Sequence, residues 1–237
     1  MEDQCARSGE VYAPRPLCKP PLCKPKNGLS AVAAGVSDTI ESRQAGRHRM
    51  AISLRLGVSP TDEEIRALSA RNPGYQFERA ASGELVVTPT GGRAGQCEAE
   101  LIAQLRNWAT ANGTGVVFSS ATGFRLPDGS LLVPDASWVR QDRWEALSPQ
   151  EQEGFVPWCP DAVFEVASPF DILTHLRRKS RDYLANGARL VVLIDPKRRT
   201  VEIHAPDRTP QVLEPAQHVS FDPTLPGFSL DLRRIFE

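Results

Sequence analysis

Residues 161–196 read DAVFEVASPFDILTHLRRKSRDYLANGARLVVLIDP. A short apolar run (162–167) leads to a helix-length segment (171–186), a stop at Gly187 and a second apolar run (189–194). That order predicts strand, helix, strand, a parallel pair joined by a crossover helix. Two residues break the apolar pattern. Glu165 stands in the middle of the first run, where a lone carboxylate is costly or shifts its pKa. Lys179 shares a helical stripe with Ile172, Leu176 and Tyr183, so it faces the sheet. A carboxylate on a buried strand and an ammonium on the helix above it can meet.

Upstream, residues 98–111 form an amphipathic helix whose buried stripe is Leu101, Ile102, Leu105, Trp108 and Ala109. Asn112-Gly113 ends it, and Glu100 lies at the edge of the stripe. Residues 116–126 and 131–139 then bracket Pro127-Asp128-Gly129 as a hairpin. Asp135 shares one face of the later strand with Val133, Ser137 and Val139. The core order is therefore helix (Glu100), strand, strand (Asp135), strand (Glu165), helix (Lys179), strand. The fold class is α/β, a mixed sheet with flanking helices.

The remaining elements extend this core. Thr61 and Glu64 make a capping box for a helix over 61–70. Residues 75–79 and 84–88 alternate around Ser82-Gly83 as a hairpin. Residues 89–95 read as a glycine-rich loop that lacks phosphate-loop spacing. Ser148-Pro149 opens a short helix, 199–204 and 211–214 suggest edge strands, and 225–236 close the chain.

With 237 residues, 41% hydrophobic and 24% charged, the chain fits one soluble domain with an appendage. No apolar run is long enough to span a bilayer and no secretory leader opens the chain, so a cytoplasmic protein is expected. Residues 1–49 carry eight Lys/Arg against five Asp/Glu, repeat Leu-Cys-Lys-Pro twice and are rich in proline. They read as a disordered extension, with a single domain over 50–237. Met50, the only methionine after Met1, reads as a natural start. The net charge of −1 gives no nucleic-acid signature, and residues 50–237 carry 20 basic against 24 acidic side chains. Five scattered cysteines fit reduced thiols better than a disulfide framework.

Three inward carboxylates, Glu100, Asp135 and Glu165, are what a magnesium or manganese site requires. Such an ion polarises a phosphodiester and lowers the pKa of a bound water, and a lysine nearby orients the nucleophile. Each residue also has a plainer reading. Asp135 suits a strand end, Glu100 a first helical turn, and Lys179 can snorkel. Glu165 and Lys179 can be a structural ion pair. His175 and His204 read as surface residues, and Arg177, Arg178 and Arg181 as a solvated face or a phosphate-contacting patch.

These residues carry a resemblance. Val133-Pro134-Asp135, Glu165-Val166-Ala167-Ser168-Pro169, Lys179 with Tyr183 and Gly187, and Leu193-Ile194-Asp195-Pro196 resemble the Uma-two-type family of the PD-(D/E)XK nuclease superfamily. The similarity runs from about Ser53 to Phe236 and takes in Arg143-Trp144-Glu145 and Leu225-Pro226-Gly227-Phe228. It implies a restriction-endonuclease-like core with added N- and C-terminal strands, a Mg2+ or Mn2+ site and hydrolysis of DNA. By position, Asp135 and Glu165 match the metal-binding acids, and Glu100 matches the acid of the first core helix. The superfamily lysine stands two residues after the second acid, where this chain has Ala167; Lys179 on the next helix takes its place. Val192 stands where relatives often carry tryptophan.

Two functions of different class follow. The first is a divalent-metal-dependent endonuclease that cuts DNA, as a homodimer where both strands are cut. The second is a catalytically inactive DNA- or protein-binding module that keeps the fold, and the 20 basic against 24 acidic side chains of residues 50–237 slightly favour it over a duplex-cutting enzyme. Hydrolysis of some other phosphodiester is a third.

Overall fold

The computed structural model describes residues 51–168, 171–214 and 217–237. The expectations for residues 1–49, for Met50 and for Pro169 lie outside the described residues. In chain order the elements are β1 (Ile52–Leu54), α1 (Asp62–Arg71), β2 (Tyr75–Arg79), β3 (Leu85–Pro89), α2 (Gly92–Asn112) and β4 (Gly115–Ser119). Then come β5 (Phe124–Arg125), β6 (Leu131–Leu132), β7 (Ala136–Arg140), α3 (Gln141–Glu145), α4 (Pro149–Gln152) and β8 (Ala162–Val166). The last are α5 (Leu173–Ala185), β9 (Leu190–Asp195), β10 (Thr200–His204), β11 (Gln211–Leu213), β12 (His218–Ser220) and β13 (Ser229–Asp231).

The central sheet has six strands in the order β11-β10-β9-β8-β7-β4. Only β8 and β9 run parallel, with α5 as the crossover between them. Every other neighbour in this sheet is antiparallel. Gly115 opens β4 because a Cβ there would collide with the Val139 carbonyl and the Trp138 indole. The core order α2, β4, β7, β8, α5, β9 is the expected helix, strand, strand, strand, helix, strand, within a mixed α/β arrangement. β10 is an interior strand and not an edge, because β11 folds back along it in antiparallel register.

Each face of this sheet carries its own core. Ala162, Phe164 and Val166 point toward α2 and the C-terminal segment, where Trp108, Phe221 and Phe228 pack around Phe164. Val163 and Val191 point toward α5 and meet Tyr183. The alternation of a fully buried strand sorts its side chains between the two layers.

The second sheet has five strands, β1-β3-β2-β6-β5, and packs on α1 through Ile65, Leu68, Phe77 and Leu85. Thr61 caps α1 with Glu64 answering, as the spacing requires. The expected hairpin around Gly129 is split between the sheets. β5 and β6 pair with each other in the second sheet, while β4 and β7 pair in the first. The chain therefore crosses from one sheet to the other at Val133-Pro134-Asp135. The helix expected over 98–111 begins at Gly92 and absorbs most of the glycine-rich loop. None of the helices among the described residues is long and apolar enough to cross a membrane.

Candidate active site

Glu165 sits one residue from the end of β8. Strand alternation puts it on the same face as Val163, under α5. It is 3% exposed. The inward stripe of α5 brings the Lys179 ammonium to 2.8 Å from Glu165 Oε1. The same ammonium lies 2.9 Å from Glu78 Oε1 on β2 and donates to the Val133 carbonyl at 3.0 Å. Glu78 in turn accepts the Val133 N–H at 2.6 Å. The Lys179 head is thus held between the two sheets, above the Tyr183 ring at 5.8 Å from its centroid. Asp135, at the crossing, accepts the Val166 N–H through Oδ2 at 2.7 Å. That bond fixes it at the end of β8 beside Glu165.

Glu78, Asp135, Glu165 and Lys179 line a cleft of about 190 Å³. Burial pushes Glu165 up to about 8; the Lys179 ammonium opposes this, and the negative charges of Asp135 and Glu78 add to it. Asp135, half-buried at the cleft floor, is pushed up to about 7 by desolvation, with Lys179 and the Val166 N–H opposing and Glu98 and Asp171 adding. Burial works against the charged form of Lys179, but Glu165, Glu78 and Asp135 outweigh it and hold the ammonium protonated, well above its ordinary range. Even with that ammonium beside them, Glu165 and Asp135 are held above the ordinary carboxylate range. Excess negative potential is the character of this cleft.

The structure does not bring Glu100 into it. Glu100 accepts from Gln104 Nε2, whose amide also donates to the Asp231 carbonyl, on the C-terminal side of α2. Glu98 takes the place instead. It lines the cleft with Gly91, Ala94 and Gly95 and accepts from the Ser120 hydroxyl. The reason is helical phase. Glu98 is three residues before Leu101 and seven before Leu105, on the buried stripe itself, whereas Glu100 is rotated off it. Glu98→Ala is expected to lower any phosphodiester cleavage at this cleft by one to two orders of magnitude, about the effect of losing a supporting ligand. Glu100→Ala is expected to leave it within about twofold, and a plasmid assay on both variants checks the assignment.

Glu78 and Glu98 are the residues that sequence reasoning missed. Glu98 was marked by its spacing to Leu101, Ile102 and Leu105. Glu78 carried no such mark, since its burial arises only where β6 crosses against β2. Two further placements differ from expectation. His204 is buried against Glu202 at 3.4 Å, and its burial pushes its pKa down. Arg177 clasps the same Glu202 with two nitrogens, at 2.6 and 2.9 Å, so it is a structural partner. Arg178 and His175 stand along the cleft.

The donor set suits a hard divalent ion: Glu98, Asp135 and Glu165 offer oxygen alone, with no thiol or imidazole among the buried groups. Glu165 Oε1 is paired with the Lys179 ammonium at 2.8 Å, and a carboxylate has further lone pairs to offer an ion. Among the described residues no three acidic, His or Cys side chains are already gathered at coordination distance. The chemistry of the residues fits the ion, and loading requires the three carboxylates to draw together.

A family model described as "Uma2: Putative restriction endonuclease" matches residues 62–233. A crystal structure described as that of "a putative nuclease belonging to DUF820", from Anabaena variabilis ATCC 29413, is similar with a TM-score of 0.60 at 21% identity. The match covers 75% of this chain and 97% of that one, and it shows a shared restriction-endonuclease-like fold. No match was found among curated proteins.

Proposed function

The chain belongs to the Uma2 family, and from that premise we propose that it is a divalent-metal-dependent endonuclease acting on DNA. One observation carries the reading. Glu98, Asp135, Glu165 and Lys179, from two helices, one strand and the β6–β7 crossing, converge on one cleft where the two sheets meet. A Mg2+ or Mn2+ ion held by Asp135 and Glu165, with Glu98 in support, would supply Lewis-acid activation of the phosphodiester and a more acidic water.

The protein's own groups do the rest. Lys179 stays protonated, so it is no base. Its positive charge offsets the negative charge that develops on the attacking water and the phosphate oxygens. Glu78 and the Val133 carbonyl aim it there, since they hold the ammonium beside Glu165. Asp135 is oriented by the Val166 N–H and presents its other oxygen to the cleft. Water attack forms one P–O bond and breaks another, releasing one strand end as a hydroxyl. Cutting both strands takes two such centres, so a homodimer is part of this reading, with the cytoplasm as its setting.

A second reading also has an observation behind it. Glu165, Glu78 and the Val133 carbonyl already satisfy Lys179 as a closed structural network, as a non-cutting binding module would have. Supercoiled plasmid incubated with the full chain separates the two. The nuclease gives open circles with Mg2+ or Mn2+ and none with EDTA; intact plasmid under every metal supports the binding module.

A further inference from the structure

A second cavity, of about 520 Å³, lies against the first. Its size is in the range of small-molecule sites, about 300–1,000 Å³. Only one layer of residues divides the two. Gln76 lines both cavities. Ser120 lines the second and donates to Glu98 in the first. Val133 lines the second while its carbonyl holds Lys179.

The walls are aromatic. Phe118 and Trp144 pack edge to face with ring centroids 5.1 Å apart. Phe155 lies against the backbone of Gly123, where an added Cβ would sit 2.7 Å from the ring. The exposed Arg66 guanidinium stands 4.9 Å from the Phe155 centroid, and Tyr75 completes the lining. Flat aromatic faces and a guanidinium plane bind planar heteroaromatic rings by stacking. The Gln76 amide, both donor and acceptor, suits the polar edge of such a ring.

Resting on the nuclease reading above, we infer that this cavity takes an unpaired nucleobase of the DNA strand, displaced from the stack next to the bond to be cut. A base so held would bring its own phosphate to the carboxylate cleft past Gln76, which both cavities share. Unstacking costs least at a mismatch or bulge, so damaged or bulged duplexes are the preferred substrates.

The test uses the full chain and two labelled duplexes with calcium, a hard cation that takes oxygen ligands, in place of magnesium. One duplex carries a single unpaired 2-aminopurine, and the other an abasic residue at the same position. The 2-aminopurine duplex is expected to bind about tenfold tighter, with its emission quenched by stacking. Ala121→Trp, which fills the cavity from an exposed position, is expected to remove both effects, and Arg66→Ala to weaken them. Equal affinity for the two duplexes with unchanged emission, while plasmid is still nicked, overturns the base pocket and leaves the nuclease reading standing. Binding of neither duplex together with no nicking overturns the nuclease reading and the pocket with it.

Discussion

Lys179→Ala in the full chain is expected to abolish nicking, by about two to three orders of magnitude, and to destabilise the fold by about 3–5 kcal/mol. The first effect follows from losing the ammonium held against Glu165 and Glu78. The second follows from leaving Glu165 and Glu78 buried without their partner, at 4% and 8% side-chain exposure. The stability loss depends on pH in a definite direction. Glu165 and Asp135, raised to about 8 and about 7, keep protons that the unfolded chain has released, so their contribution declines as pH rises from the ordinary carboxylate range to those values. Lys179, raised, stays charged throughout pH 5 to 9, so the pH dependence of its loss comes from the carboxyls it faces. At pH 5 the carboxyls are neutral and the lysine is missed less; at pH 9 they are forced to ionise and it is missed most. Urea unfolding of both proteins at the two pH values measures this. A loss equal at pH 5 and pH 9 would show that Lys179 does not balance those charges.

Divalent ions supply the second large effect. Magnesium or manganese is expected to raise the melting temperature at pH 8 and to do little at pH 5. The ion and the protons compete for the same oxygens, so apparent affinity climbs by about tenfold per pH unit for each proton displaced, until the carboxyls are fully ionised near pH 8 to 9. Without metal, the melting temperature falls over that range, for the reason given above. Asp135→Asn is expected to cancel the metal-dependent shift while the protein remains folded, since its amide can no longer offer an anionic oxygen. Thermal melts with magnesium or EDTA across pH 5–9 give all of this in one series. A shift that persists unchanged in Asp135→Asn places the ion elsewhere.

Much of this was legible in residues 161–196. A run of apolar residues interrupted by Glu165, then a helix with Lys179 on its inward stripe, is a local pattern, and local patterns survive folding. Lys179 and Glu165 meet because strand parity and helical phase are both fixed by sequence. What could not be read was where the chain changes sheets. Residues 131–139 look like one continuous strand, yet they divide at Val133-Pro134-Asp135 between two sheets. That division is a tertiary outcome, and it is what buries Glu78 against Lys179. Glu98 was legible from its spacing to Leu101 and Leu105, whereas the helical turns from Gly92 onward that precede it were hidden by Gly91, Gly92 and Gly95, which read as a loop.

Nicking of supercoiled plasmid by Glu165→Gln beside the unaltered chain, in magnesium, tests the central claim most directly. The substitution keeps shape and removes the anionic oxygen that faces both Lys179 and the proposed ion. Cleavage at least a hundredfold slower, in a variant with a cooperative melt, is the predicted result. Undiminished cleavage by folded Glu165→Gln would contradict it and move the chemistry out of this cleft.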